Sequence, residues 1–296
     1  MPPTKDILEK TLEAHNDVFA DICDGLLFEG RPVITSSDLS DAQPYSFYKA
    51  DGRVRSQERD VAKRVVDLNT SICILKIGGE NQTGYDPKLP LRVFGYDGAD
   101  YRNQYEEEHN YPVITLVLYF GEKPWGKNKT LHDCLNIPEE LKPYVNDYKL
   151  NLFEIAFLSD EQINRFHSDF RAIADLIAHR RVDPYYRPAH SRDFDHPAEV
   201  RELMSVITGD RRYLEEDLPP ERRSKNMDQY LDRIMNLGRE EGTQLGREEE
   251  RAAAEEKDKR RVRRMFAKGN SPEEIADDME LDLAVVKEWL AAPAMA

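Results

Sequence analysis

The chain has 296 residues, 40% of them apolar and 33% charged, with a formal net charge of −15 at pH 7. That length permits one sizeable core with an appendage. The acidic balance excludes a protein that coats DNA by charge alone, since such proteins gain affinity by neutralising phosphates and releasing counterions. A local basic cleft stays compatible with it, and carboxylates can recruit divalent cations that supply positive charge at a phosphate. No run of eighteen apolar residues occurs, so no membrane span is expected. Residues 1–12 lack the basic start, apolar stretch and cleavage site of a secretory signal, which leads to the expectation of a cytoplasmic protein. Cys23, Cys73 and Cys134 are too scattered for a disulfide framework or a zinc knuckle and read as small core residues.

In chain order, Leu8, Leu12, Val18, Phe19, Ile22 and Leu26 recur at helical spacing and predict one amphipathic helix over 5–27. A strand is expected at Val33 to Ile34, then a polar loop and a turn at Asp51-Gly52. Arg53 to Val66 fits helix or strand. Ser71 to Gln82 begins as a β-branched apolar run typical of a strand buried on both faces. Leu91 to Glu107 reads as a helix weakened by Gly95 and Gly98. Tyr111 to Phe120 is the strongest strand, Leu152 to Leu158 another, and Asp160 to Ala178 and Val200 to Thr208 are helices. This order predicts an α/β mixed sheet flanked by helices.

Near Leu218 the composition shifts to a charged, glycine-spaced stretch with strong helix formers. Leu231, Ile234, Leu237 and Leu245 supply only a thin apolar seam. Ser271 with Glu274 forms a capping box, Pro272 takes the first helical position, and Asp282 can cap a last helix. The expected division is 1–215 for the main domain, 216–256 for a charged helical linker and 257–296 for a small three-helix segment.

Glu80 and Gln82 stand two apart at the end of a buried strand, so they share a face where the strand leaves the core. Asp60, in QERDVAKR, can meet them from a neighbouring element. Two carboxylates and the Asn81 carbonyl would make hard oxygen ligands for Mg²⁺, with Mn²⁺ or Ca²⁺ as substitutes. Such an ion lowers the pKa of its water and stabilises charge at phosphorus, which points to phosphodiester hydrolysis. Lys63, three residues beyond Asp60, is a second-choice positive charge for the site and reads first as a solvated lysine.

The stretches NDVFADICDGLLF, YKADG, ERDVAK, GGENQT, LPLRVFGYDGADYR, YPVITLVLYFGEKPW, CLNIPEELKPYVNDYKLNLFEIAFL and LMSVITGDRRY span roughly residues 10–215. They resemble the Rpn family of recombination-promoting nucleases, also described as transposases, within the PD-(D/E)XK superfamily. The resemblance implies a restriction-endonuclease-like fold over these residues, and the charged stretch that follows reads from its own composition as a C-terminal helical tail. It implies catalytic roles for Asp60, Glu80 and Gln82, and DNA as the partner. It also implies that Asp17 assists the metal and that Arg92 and Tyr96 face the site. The function implied is a Mg-dependent endodeoxyribonuclease tied to recombination or transposition-like transfer. The superfamily pattern ends in lysine where this chain has Gln82, which offers hydrogen bonds without charge.

Two other groupings carry less. His190, Asp193, Asp195 and His196 lie in a proline-flanked loop with no second ligand cluster nearby in sequence, and read as polar loop rather than zinc site. Lys257 to Lys268 holds seven basic residues against one acid, but Glu273 to Glu288 holds seven acids and one lysine. A groove-entering helix should not carry that charge, so homo-oligomer formation through the tail is the preferred reading over sequence-specific DNA binding. The competing function is a catalytically degenerate DNA-binding or protein-interaction module on the same fold. An RNA nuclease would share the chemistry.

Overall fold

The computed structural model describes residues 5–43, 45–50, 53–66, 73–188, 192–215 and 218–291. The chain divides into two compact units, Met1–Leu231 and Asp232–Ala296. The elements of the first are α1 (Lys5–Glu13), α2 (Asn16–Leu27), β1 (Leu39–Asp41), β2 (Tyr45–Ala50), β3 (Arg53–Glu58), β4 (Val61–Val66), β5 (Cys73–Gln82), α3 (Leu89–Asn103), β6 (Val113–Tyr119), β7 (Asn151–Glu154), α4 (Asp160–Ile163), α5 (Phe170–Arg180) and α6 (Pro197–Thr208). Five strands form one sheet in the order β1-β4-β5-β6-β7, and β2 with β3 forms a separate hairpin. The β1/β4 and β4/β5 pairs are antiparallel, while β5/β6 and β6/β7 are parallel. This is the expected α/β architecture, a mixed sheet flanked by helices with a helical C-terminal region. Among the described residues no helix is long and apolar enough to cross a membrane.

Strand β5 is central, and its two faces do different work. Lys76, Gly78 and Glu80 point to α3, where Lys76 reaches Asp100 at 2.7 Å and Glu80 meets Arg92. Ile77, Gly79 and Asn81 face the other way, where Phe19 of α2 packs near Gly79 and Asn81 reaches Glu13 of α1. Alternation along a strand requires this split. Between the sheet and α3 lies a buried ionic cluster: Arg59 donates to Asp97 at 2.6 Å, to Asp100 at 2.5 Å and to Thr115 at 3.2 Å. Tyr148 donates its hydroxyl hydrogen to Asp97 as well. The Arg59 chain lies across Gly78, where an added Cβ would stand 2.3 Å from Arg59 Cδ. Gly78→Ala is therefore expected to destabilise the fold by roughly 1–3 kcal/mol through overpacking. A urea titration checks this, and an unchanged midpoint would show that Arg59 can move aside.

Several elements differ from expectation, each for a local reason. The helix over 5–27 is two helices, because His15 adopts an extended backbone (φ −68°, ψ 130°) between α1 and α2. Both helices bury their apolar faces, so periodicity alone runs through the break. Val33 and Ile34 form no strand; the Asp24 carboxylate accepts both of their amide hydrogens, at 3.0–3.2 Å, and satisfies the backbone locally. The expected helix over 160–178 is interrupted between α4 and α5, where the Asp21 carboxylate accepts from the amides of His167 and Ser168. The ambiguous Arg53 to Val66 stretch is two strands joined at Arg59 and Asp60. The Asp51-Gly52 turn, His190 and the start of the stretch at Ser71 lie outside the described residues. Cys23 is buried as expected, while Cys134 is half-buried and donates to the Pro87 carbonyl.

Helix α7 (Met227–Ala267) is continuous, and the division between the two units falls within it, after Leu231. The second unit adds α8 (Pro272–Asp278) and α9 (Leu283–Ala291). Val262, Ile275, Ala276 and Val286 form its core, with Met265 and Trp289 packed against them. The Ser271–Glu274 capping box is formed, and Asp282 accepts from the amide of Ala284 at 2.7 Å.

Candidate functional site

Asp60 sits at the bend between β3 and β4 and is fastened to the end of β5 at two points. Its amide donates to the Gly79 carbonyl at 3.1 Å, and its Oδ2 accepts from the Asn81 amide at 2.6 Å. These bonds straddle Glu80, so two acids twenty residues apart in the chain converge at the rim of the sheet. Oδ1 of Asp60 pairs with Lys10 of α1 at 2.6 Å. Glu80 is buried; its Oε1 accepts from Arg92, while its Oε2 is buried without a hydrogen-bond partner. Burial raises the Glu80 pKa to about 7, with the Asp60 charge adding to the rise and Arg92 opposing it.

Gln82 turns back over the acids, donating from Nε2 to the Asn81 carbonyl at 2.9 Å and to Glu80 Oε1 at 3.3 Å. In this arrangement it caps the proposed backbone ligand instead of projecting outward. Tyr96 of α3 is buried beneath the site with the Arg59 guanidinium 5.2 Å from its ring centroid. Burial and then the Glu80 charge push its hydroxyl up to about 12, so it stays a neutral hydrogen-bond group there.

Two of the supporting residues go elsewhere. Asp17 is held by His196, at 2.9 and 3.0 Å from the imidazole Nε2 to its two oxygens. Lys63 is neither a solvated lysine nor a member of the site: its ammonium is buried and donates to the Ala14 carbonyl at 2.7 Å and to Asp41 at 2.5 Å. The acid that α1 and α2 do bring near Asp60 is Glu13, a residue the sequence reading passed over. Its carboxylate is buried and accepts from Asn81 Nδ2 at 2.8 Å, leaving Oε1 buried without a partner. Burial first, and then the charges of Glu9 and Asp60, raise its pKa well above the carboxylate range. The missed signal is that Glu9 and Glu13 lie within the apolar stripe of Leu8 and Leu12, where acids are rarely placed.

Buried carboxylate oxygens with no donor are costly unless a proton or a cation meets them. Glu80 Oε2, close enough to Asp60 for that charge to raise its pKa, thus fits a hard divalent ion by its donor chemistry. The proton alternative gives a measurable pH dependence. Because the folded pKa of Glu80 lies above its ordinary value of 4.5, the folded state holds the extra proton between pH 4.5 and about 7. Stability from this group is full below that window and is lost as pH rises through it. In chelator-treated protein, wild type should therefore lose on the order of 3 kcal/mol relative to Glu80→Gln between pH 5 and 8. Parallel pH profiles for the two proteins in denaturant titrations would contradict the assigned burial.

Beyond Gln82 the chain enters an open groove of about 1230 Å³, lined by Thr83, Gly84, Tyr85, Tyr119 and Phe120, with Lys123, Arg180 and Arg181 on its walls. Arg181 is already committed, donating to the Ala156 carbonyl and stacking on Phe157.

No curated protein and no solved structure matches the chain. Residues 74–183, which carry β5 from its second residue, α3, β6, β7, α4 and α5 and with them Glu80, Gln82, Arg92 and Tyr96, match the model of the family described as "Putative transposase, YhgA-like", the family that the Rpn resemblance names.

Proposed function

We propose that the protein is a metal-dependent DNA endonuclease that hydrolyses phosphodiester bonds in recombination or transposition-like transfer. The observation that carries this reading is the convergence of Asp60 and Glu80 at the rim of the sheet, where one oxygen of Glu80 is buried without a hydrogen-bond partner. Asp60 and Glu80 would hold Mg²⁺, with the Asn81 carbonyl beside them. Bound there, the ion supplies Lewis-acid stabilisation at phosphorus and a water of lowered pKa. Gln82 orients the attacking water or a phosphate oxygen through its amide, in the place where the superfamily has lysine. Arg92, half-exposed and bonded to Glu80, fixes that carboxylate and presents positive charge toward the substrate side. Lys10 does the same for Asp60.

The groove beyond Gln82 supports a nucleic-acid substrate, since it combines basic side chains with one exposed aromatic ring, Tyr85, on which a base can stack. Charge reversal at Lys123 and Arg180 together is expected to weaken DNA binding and to lower the salt slope of log K by about 1 per lost phosphate contact. A fluorescence-anisotropy titration at several salt concentrations measures this; an unaltered slope would remove the groove from the interface.

The reading is tested by incubating the full chain with supercoiled plasmid in Mg²⁺ or in chelator, and with RNA of matching length. Nicked or linear plasmid in Mg²⁺ alone is expected. The alternative, a degenerate binding module on the same fold, draws on one observation: Lys10 and Arg92 already neutralise Asp60 and Glu80. Plasmid binding without cleavage under every divalent ion would favour it.

A further inference from the structure

We propose that His15, Asp17 and His196, with Glu199 at their edge, form a second metal site of imidazole–carboxylate type, suited to Zn²⁺, that staples α2 to α6. Donor atoms of His15, Asp17 and His196 all lie within 4.8 Å of one another. Each helix contributes a histidine at its N-cap and an acid in its first turn: His15 and Asp17 on α2, His196 and Glu199 on α6. The pairs cross between helices, His196 Nε2 lying 2.9 Å from Asp17 and His15 Nε2 lying 3.5 Å from Glu199. Tetrahedral Zn²⁺ with bonds of about 2.0 Å sets its ligand atoms roughly 3.3 Å apart, within the spread these pairs bracket.

Three further features favour an ion over a plain hydrogen-bonded clamp. Neither N-cap histidine makes a side-chain capping bond, although that position usually serves to cap the helix. The two imidazoles stack face to face at 3.7 Å, so both histidines stand at the same helix junction, with their donor atoms within 4.8 Å of each other. All four side chains keep partial solvent access, between 18% and 43%, which leaves an entry path. Two imidazoles and two carboxylates are a borderline donor set that suits Zn²⁺ and its neighbours and not Mg²⁺, whose all-oxygen preference matches Asp60 and Glu80. Both halves of the cluster lie outside residues 74–183 and do not depend on the nuclease reading.

The test uses the full chain, stripped with chelator and titrated with Co²⁺ and then Zn²⁺. One equivalent of Co²⁺ should give the intense visible absorption of a tetrahedral site, and one equivalent of Zn²⁺ should abolish it. The same behaviour is expected of Glu80→Gln, whereas His196→Gln should bind at least about a hundredfold more weakly. In the wild-type chain, side-chain NMR should show Zn²⁺-dependent shifts in two of its seven histidines, a readout that does not depend on any variant folding. Absence of the Co²⁺ band in wild type, histidine signals indifferent to Zn²⁺, or a band that persists in a folded His196→Gln protein would each overturn the proposal.

Discussion

Asp60→Asn is expected to lower the rate of plasmid cleavage roughly a thousandfold, while leaving the melting temperature close to that of wild type. The substitution keeps the side chain's shape, and its carbonyl oxygen can still accept from the Asn81 amide that anchors the β4 bend. What it removes is the charge that Lys10 and a divalent ion would share. Charge stabilisation by a catalytic metal amounts to several kcal/mol, and each 1.36 kcal/mol is a factor of ten in rate. Glu80→Gln should act similarly, since it removes the neighbouring negative charge and leaves Arg92 a neutral acceptor. Single-turnover cleavage in Mg²⁺, with circular dichroism melts of the same preparations, separates catalysis from folding. Activity within about tenfold of wild type in both variants would mean that cleavage occurs elsewhere.

The largest effect on stability is expected one residue earlier. Arg59 is 2% exposed and is the shared donor of Asp97, Asp100 and Thr115 between the sheet and α3. Arg59→Ala would leave Asp97 with Thr115 and Tyr148, and Asp100 with Lys76, each carboxylate short of the cation it now faces. Breaking a buried ionic group by removing one partner costs about 3–5 kcal/mol, because the remaining charges stay desolvated. For a domain of this size that corresponds to a fall in melting temperature of roughly 10 °C. Loss of the Arg59 side chain also frees the space above Gly78, so Gly78→Ala should be tolerated better in the Arg59→Ala background than alone. Additive effects of the two substitutions would contradict the packing described here.

The two positions explain why parts of the molecule were legible in its sequence and others were not. Strands β5 and β6 declare themselves through continuous β-branched and apolar runs, because burial on both faces leaves no room for polar alternation. Alternation along β5 likewise puts Glu80 and Gln82 on one face, and the resemblance supplies Asp60. Residues whose role is set by a distant partner carry no such mark. His196 reads in the sequence as part of a polar loop with Asp193 and Asp195, whereas its partner Asp17 is 179 residues away. Arg59 stands in a stretch that fits helix or strand equally, and only the sheet and α3 together reveal it as a buried hub. The Val33–Ile34 pair has strand chemistry, yet the Asp24 carboxylate supplies the acceptors a neighbouring strand would have provided. The break at His15 has neither proline nor glycine to announce it. Glu13 is legible in principle, as an acid on an apolar helix face, but nothing in the sequence joins it to Asn81, 68 residues away.

The central claim is that Asp60 and Glu80 share one hard cation at the rim of the sheet. Crystals of the chelator-stripped protein soaked in Mn²⁺, measured for anomalous scattering, test it most directly. The account predicts a peak at about 2.0–2.3 Å from a carboxylate oxygen of each acid, with Lys10 and Arg92 drawn back from their present contacts. A difference map with no peak between them, or with Mn²⁺ bound only at other carboxylates, would contradict it.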